Sequence, residues 1–181
     1  MKRDLDKFEY GSYSLGRSKL VLAFWVLFGQ PILNFRFLPS LIRVIVLRLF
    51  GAKIGHSVVF KSNVEVLFPW RLSIGSNSWI GQYVLIINHE FVNIGQNVCV
   101  SQRSTLCSGG HDYKSISLAY KNIPIYIGDG AWICLDSILL GGSNIGEGSV
   151  VSAGEVVRGV IPEYSILIEG QITSIESPFR P

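Results

Sequence analysis

Charge is scarce in this chain. Asp, Glu, Lys and Arg make up 16% of its 181 residues, against roughly a quarter in an average soluble domain. Hydrophobic residues supply 48%, so the composition is that of a packed protein and excludes a disordered one. Cysteine is rare as well. Cys99, Cys107 and Cys134 have no Cys-x-x-Cys spacing, which argues against a disulfide framework or a zinc knuckle and suits a reducing compartment. The apolar run "LVLAFWVLF" (20–28) stops after nine residues at Gly29-Gln30-Pro31, about half of the roughly 20 that a membrane-spanning helix needs. No small-x-small cleavage site follows it, so no export is expected and the expected compartment is cytoplasmic. Also missing are a phosphate-binding GxxxxGK[ST] loop, a GxSxG nucleophile elbow and a dinucleotide fingerprint.

What is present is a period. From residue 54 an aliphatic or aromatic residue recurs every six positions, in triplets: Ile54, Phe60, Val66; Ile74, Ile80, Ile86; Ile94, Val100, Leu106; Ile127, Ile133, Leu139; Ile145, Val151, Val157. Five triplets predict about five coils of a three-sided parallel β-helix built from hexapeptide repeats. Glycine follows the first ladder residue of every triplet (Gly55, Gly75, Gly95, Gly128, Gly146), with Gly81 as a further instance. Positive φ at a sharp corner is the expected reason. The fifth hexad position is small or β-branched, Ser78, Ser104 and Ser137 among them, until Glu155 breaks it.

The period is interrupted at one place only. From the third beat of one coil to the first of the next the spacing is eight, eight, twenty-one and six. The insertions therefore gather on one corner, and long irregular loops in compact domains tend to be functional. They bring Trp70, Asn88, His89 and His111 to one edge, with loop 112–126 leaving just after His111.

The basic residues lie elsewhere. Residues 1–53 hold nine Lys/Arg against Asp4, Asp6 and Glu9, a balance of +6 within a net charge of +3. Residues 18–29 and 39–50 are expected to be helices, the second starting near Pro39 and stopping at Gly51. Segment 1–53 would cap the open first coil, which otherwise exposes a sheet edge. A basic, apolar segment also suits an anionic membrane surface, through residues 18–50, more than nucleic acid. A solvated basic face on packed helices is the plainer alternative. Residues 1–17 and 171–181 are expected to be loosely ordered termini, with 54–168 as the solenoid and 169–181 as a tail.

His111 is the first candidate for chemistry. An imidazole that titrates near neutrality can take a proton from a hydroxyl or amine, or can simply hydrogen-bond a loop. Asn88 could meet a polar substrate or merely form a turn. Asp112 could orient His111 or anchor the loop. Trp70 and Trp132 could wall a channel or pack on outer faces. His56, His89 and His111 lie in three different coils, which makes a weak zinc constellation, and no metal is expected.

The stretches "LRLFGAKIG", "FPWRLSIGSNSWIG", "IGQNVCVSQRSTLCSGGHDY", "PIYIGDGAWI" and "IGEGSVVSAGEVV" resemble the hexapeptide-repeat acyltransferases, and among them the colanic-acid-type exopolysaccharide acetyltransferases. The resemblance covers about residues 15–168. It implies a left-handed coil, a homotrimer with active sites between subunits, and acetyl-CoA as donor. It implies His111 as catalytic base and Asn88 on the acceptor side; Asp112 and Trp70, on the same edge, are the further substrate-binding candidates that the residues themselves offer. It places Trp132, Ser152, Ala153, Gly154 and Arg158 near the cofactor. The implied activity is transfer of an acetyl group to a hydroxyl of a free or lipid-linked sugar of a surface polysaccharide. A non-catalytic β-helical scaffold and a zinc-dependent β-helical hydratase are the alternatives.

Overall fold

Ladder residues six apart place one short strand on each of three faces. The structure, a computed structural model, describes residues 4–8 and 13–175. On the first face Ile54, Ile74, Ile94, Ile127 and Ile145 stand in register, each parallel to the next. The second and third faces repeat this with the Phe60 and Val66 columns. The result is a left-handed parallel β-helix. Its axis is a column of ladder side chains, most of them under 5% exposed.

Five coils were expected and a sixth is present. Val160–Ile161 extends the first face and Ser165–Ile168 the second, with Ile161 and Leu167 buried. Ile161 follows Val157 by four positions instead of six, and Pro162 stands where the hexad glycine would be. The tail expectation also fails in part. Gln171–Ser174 folds back antiparallel on Ser165–Ile168, which covers that open edge of the second face. Residues 176–181 of the expected tail, like 1–3 and 9–12 of the expected loose N-terminus, lie outside the described residues.

The hexad glycines do not have positive φ. That conformation falls two residues later, at Ser57, Asn77, Asn97, Gly130 and Gly148, where the turn needs it and Asn tolerates it. Glycine is required by stacking instead: a Cβ on Gly75 would lie 2.4 Å from the backbone nitrogen of Gln96 in the next coil. The small fifth-position serines are buried and hydrogen-bonded. Ser78 Oγ donates to Gly95 O and accepts from Val98 N–H, and Ser104 Oγ donates to Cys134 O. Glu155, which breaks the slot, sits at the last complete coil and accepts from Gly170 N–H through its carboxylate.

The N-terminal helices seal the first coil. The first helical stretch continues past Gly29, where it was expected to stop, as α1 (Lys19–Phe24), a π turn (Trp25–Gly29) and α2 (Gln30–Asn34). The wide turn accommodates Pro31, whose ring would clash with a carbonyl four residues back in a regular helix. After it comes α3 (Ser40–Leu49), with Pro39 as its N-cap. Side chains from these helices satisfy the open strand edges. Trp25 Nε1–H donates to Val66 O, Gln30 bonds Val64 O and Val66 N–H, and Ser40 bonds Val58 O and Phe60 N–H. Arg43 is 4% exposed and donates to the carbonyls of Leu33, Phe35, Arg36 and Phe60. Arg48 donates to Ile54 O and Gly55 O. Part of the basic N-terminal charge is thus internal mortar and not a solvated face.

Candidate active site

The corner between the third and first faces carries the irregular segments, one coil above another. Pro69–Arg71 forms a short 3-10 turn, residues 88–91 form the second insertion, and the third leaves after Cys107 and returns at Ile125. Coil register therefore brings Trp70, His89 and His111 to one edge.

His111 stands exposed at the base of the longest insertion, paired with Tyr120 in a single antiparallel bridge. Its Nδ1 lies 2.6 Å from Leu118 O. A carbonyl only accepts, so Nδ1 donates in this contact, and in the neutral imidazole the lone pair then falls on Nε2. The ring stacks on Tyr120 at 5.0 Å with 24° between planes, and Phe8 meets its edge at 6.0 Å. The orienting group is therefore a backbone carbonyl of the loop. Asp112, offered as an orienter or substrate contact, is a loop anchor: its carboxylate accepts from Lys114 N–H at 2.9 Å.

A second histidine shares the stack. The His89 ring lies 5.9 Å from the Tyr120 ring, centroid to centroid. Its Nδ1 is 2.9 Å from Tyr13 OH. Arg71 Nη1 donates to Tyr13 OH at 3.2 Å, so the phenol oxygen accepts there and its proton points to His89. Burial first, then the Arg71 guanidinium and His111, hold the His89 pKa below its ordinary value. Burial pushes the Tyr13 phenol up, and Arg71 opposes that shift. Arg71 also donates to His89 O and Ser14 O, while Trp70 Nε1–H donates to Leu15 O at 2.8 Å. Residues 13–15, expected to be loose, are strapped across the edge. Trp70 acts here as a strap anchor, with its indole N–H already committed.

Asn88 has a structural part as well. It is fully buried, and its amide clamps one residue of the preceding coil: Oδ1 accepts from Phe68 N–H at 2.9 Å and Nδ2 donates to Phe68 O at 2.7 Å. One amide N–H and one oxygen lone pair are thereby committed to holding that residue in place. Ser108 does the same one coil on, bonding both Glu90 N–H and Glu90 O.

The residues expected near the cofactor do not meet in one chain. Trp132 projects half-exposed from the second face, its Nε1–H on Ser101 Oγ at 2.9 Å. Ser152, Ala153 and Gly154 form the corner between second and third faces, Gly154 at φ +77°. Arg158 is exposed and follows Val157, which puts it on the His111 edge two coils along. Among the described residues no group of three or more His, Cys, Asp or Glu side chains is arranged to hold a metal ion. His56 sits on the corner between first and second faces, apart from the other two. Cys107 donates its thiol to Gly109 O. Burial and the neighbouring Cys99 push the Cys134 thiol up, away from nucleophilic character.

Tyr13, Arg71, His89 and Tyr120 were not among the expected site residues. His89 had a signal, its place in an insertion. Tyr13 had none, because its contacts lie 58 and 76 residues away.

A six-coil parallel β-helix with a histidine-based loop on its one irregular corner defines a hexapeptide-repeat protein of the acyltransferase type. The chain belongs to the hexapeptide-repeat acyltransferase family. It is 38% identical over 120 residues to a protein of Escherichia coli (strain K12) named as a colanic acid biosynthesis acetyltransferase, WcaF, and the match covers 66% of each chain. It thus spans about two thirds of that relative's length. It is 31% identical over 103 residues to WbbJ of the same organism, named as a lipopolysaccharide biosynthesis O-acetyl transferase, covering 50% of this chain and 53% of that one. Its fold is similar to that of a hexapeptide-repeat acetyltransferase from Vibrio cholerae O1 biovar eltor solved with acetyl-CoA. The TM-score is 0.80 at 19% identity, over 96% of this chain and 93% of that one. No family model matches the chain.

Proposed function

We propose that the protein transfers an acetyl group from acetyl-CoA to a sugar hydroxyl of a bacterial surface polysaccharide or its precursor. The observation that carries this reading is the Nδ1 contact of His111 with Leu118 O, which orients the ring on an open edge with Nε2 as the basic nitrogen of the neutral form. Nε2 takes the proton of the acceptor hydroxyl as its oxygen attacks the thioester carbonyl. The C–S bond breaks, and the proton passes to the departing CoA thiolate. No acyl-enzyme is needed. The names and titles of the relatives, including acetyltransferases solved with acetyl-CoA or CoA, support acetyl-CoA as donor, and those of WcaF and WbbJ support a polysaccharide acceptor.

The working unit in this reading is a homotrimer. Trp79 and Trp132, both at least half-exposed, stand next but one on the second face. A neighbouring copy covering that face would bring Trp132 toward the His111 edge of the adjacent subunit. The acetyl donor is a cytoplasmic metabolite, so the enzyme works on the cytoplasmic side of the cell membrane. Arg158 on the same edge as His111 suits a phosphate of CoA.

General-base catalysis is worth about 10²–10⁴-fold. His111→Ala should therefore lower kcat at least about 100-fold in a CoA-release assay across sugar acceptors, with the melting temperature unchanged. Near-normal turnover by a folded variant would remove His111 from the mechanism.

A further inference from the structure

The helical cap buries one face and leaves the other bare. Trp25, Leu33, Val44 and Leu47 point inward. Outward, Leu20, Phe24, Phe28, Phe37, Leu41 and Leu49 are each more than half-exposed, Phe37 at 85%. They are carried by α1, the π turn, the connection and α3, which pack together through α2. Phe24 and Phe28 stack on each other at 5.7 Å, rather than on the solenoid. A soluble monomer seldom leaves so much apolar surface on neighbouring segments without a partner.

The charge around this face identifies the partner. Between residues 10 and 64 the chain has seven Lys/Arg and no Asp or Glu. Arg43 and Arg48 spend their guanidinium groups on backbone carbonyls. Arg17, Lys19, Arg36, Lys53 and Lys61 remain exposed. A second copy docked face to face would set these like charges against each other. An anionic lipid surface complements them, and the phenylalanines would enter the boundary between headgroups and acyl chains. No described helix is long and apolar enough to cross a membrane.

We propose that the helical cap docks the protein on an anionic bilayer. One further feature connects that face to the site. A groove of about 470 Å³ runs between the helix at Trp25, Val26 and Gln30 and the third face at Leu67 and Ile87, and it reaches His89. Through Tyr120, His89 adjoins His111. If the acyltransferase reading holds, on which this step rests, the groove takes the apolar portion of a lipid-linked sugar as it leaves the membrane.

Flotation of the full chain with two vesicle types tests the docking. Vesicles rich in phosphatidylglycerol should carry the protein upward, and phosphatidylcholine vesicles should leave it below. Phe28→Ser with Phe37→Ser, both at exposed positions, should cut recovery at least about 10-fold with the melt unchanged. Lys19→Gln with Arg36→Gln should cut it several-fold and flatten its salt dependence. Equal recovery with both vesicle types overturns the proposal. So does a fall in oligomer size on the phenylalanine substitutions, which would make a second copy the occupant. An inactive wild type that still floats with anionic vesicles would sink the acyltransferase reading and leave the docking intact.

Discussion

Two corners of the solenoid obey different rules. Between first and second faces every complete coil turns the same way, with a glycine stacked on backbone and a positive φ two residues later. Between third and first faces no two coils are alike: a 3-10 turn, a short insertion, a long loop, then a pair of glycines at 141 and 142. The first corner is fixed by the distance between stacked strands, which is the same for every coil. The other is released from that constraint and is free to hold individual side chains. Chemistry can be placed only where the repeat has stopped dictating the residues.

Substitutions can break that comparison. The largest effect is expected at Asn88. Asn88→Ala leaves a buried N–H and a buried C=O of Phe68 unpaired, which should cost about 2–6 kcal/mol at 1–3 per group. Urea unfolding measures it, and turnover per folded molecule should hold; a selective rise in acceptor KM at full stability would make Asn88 a substrate contact. Next come Gly75→Ala and Gly128→Ala. Their new Cβ atoms would stand 2.4 and 2.7 Å from backbone of the following coil, an overpacking of about 1–3 kcal/mol. The two should cost nearly the same, because that corner repeats. If one were tolerated and the other not, the claim of equivalence would be lost. Ser108→Ala should cost less than Asn88→Ala, about 1 kcal/mol, since a hydroxyl leaves a smaller gap; equal losses would mean that the irregular corner is more regular than described.

The same contrast explains what could be read in the sequence. Fifteen ladder positions were visible because every coil demands the same thing of them. The sixth coil was hidden because Ile161 arrives four residues after Val157 and Pro162 replaces the glycine. The position of His111 was legible, since an insertion marks its own place. Its orientation was not, because Leu118 O is brought back by the loop's own fold. The clamp made by Asn88 was hidden for a related reason: an amide that holds backbone and one that greets a substrate look identical in sequence. Tyr13 and Arg71 meet only after the strap crosses two coils, and no local pattern announces that.

The smallest expected effect concerns pH and the strap. His89 Nδ1 accepts from Tyr13 OH beside the Arg71 guanidinium, an arrangement that suits a neutral imidazole. Burial and Arg71 lower its proton affinity in the folded state below the ordinary value of 6.5. Between the lowered folded value and 6.5 the unfolded chain therefore binds more protons than the folded one, so stability rises with pH there. Going the other way, this contribution is lost as pH falls below 6.5 toward the folded value. A protonated His89 would also turn an N–H toward a phenol oxygen already accepting from Arg71, and the strap should loosen. Amide exchange at residues 13–15 should accordingly quicken on mild acidification ahead of exchange in the ladder strands. His89→Gln, which keeps an acceptor for Tyr13 but cannot titrate, should flatten that response and reduce the slope of melting temperature against pH. An unchanged slope in the variant would show that the strap is held by Arg71 and Trp70 alone, with no part for the second histidine.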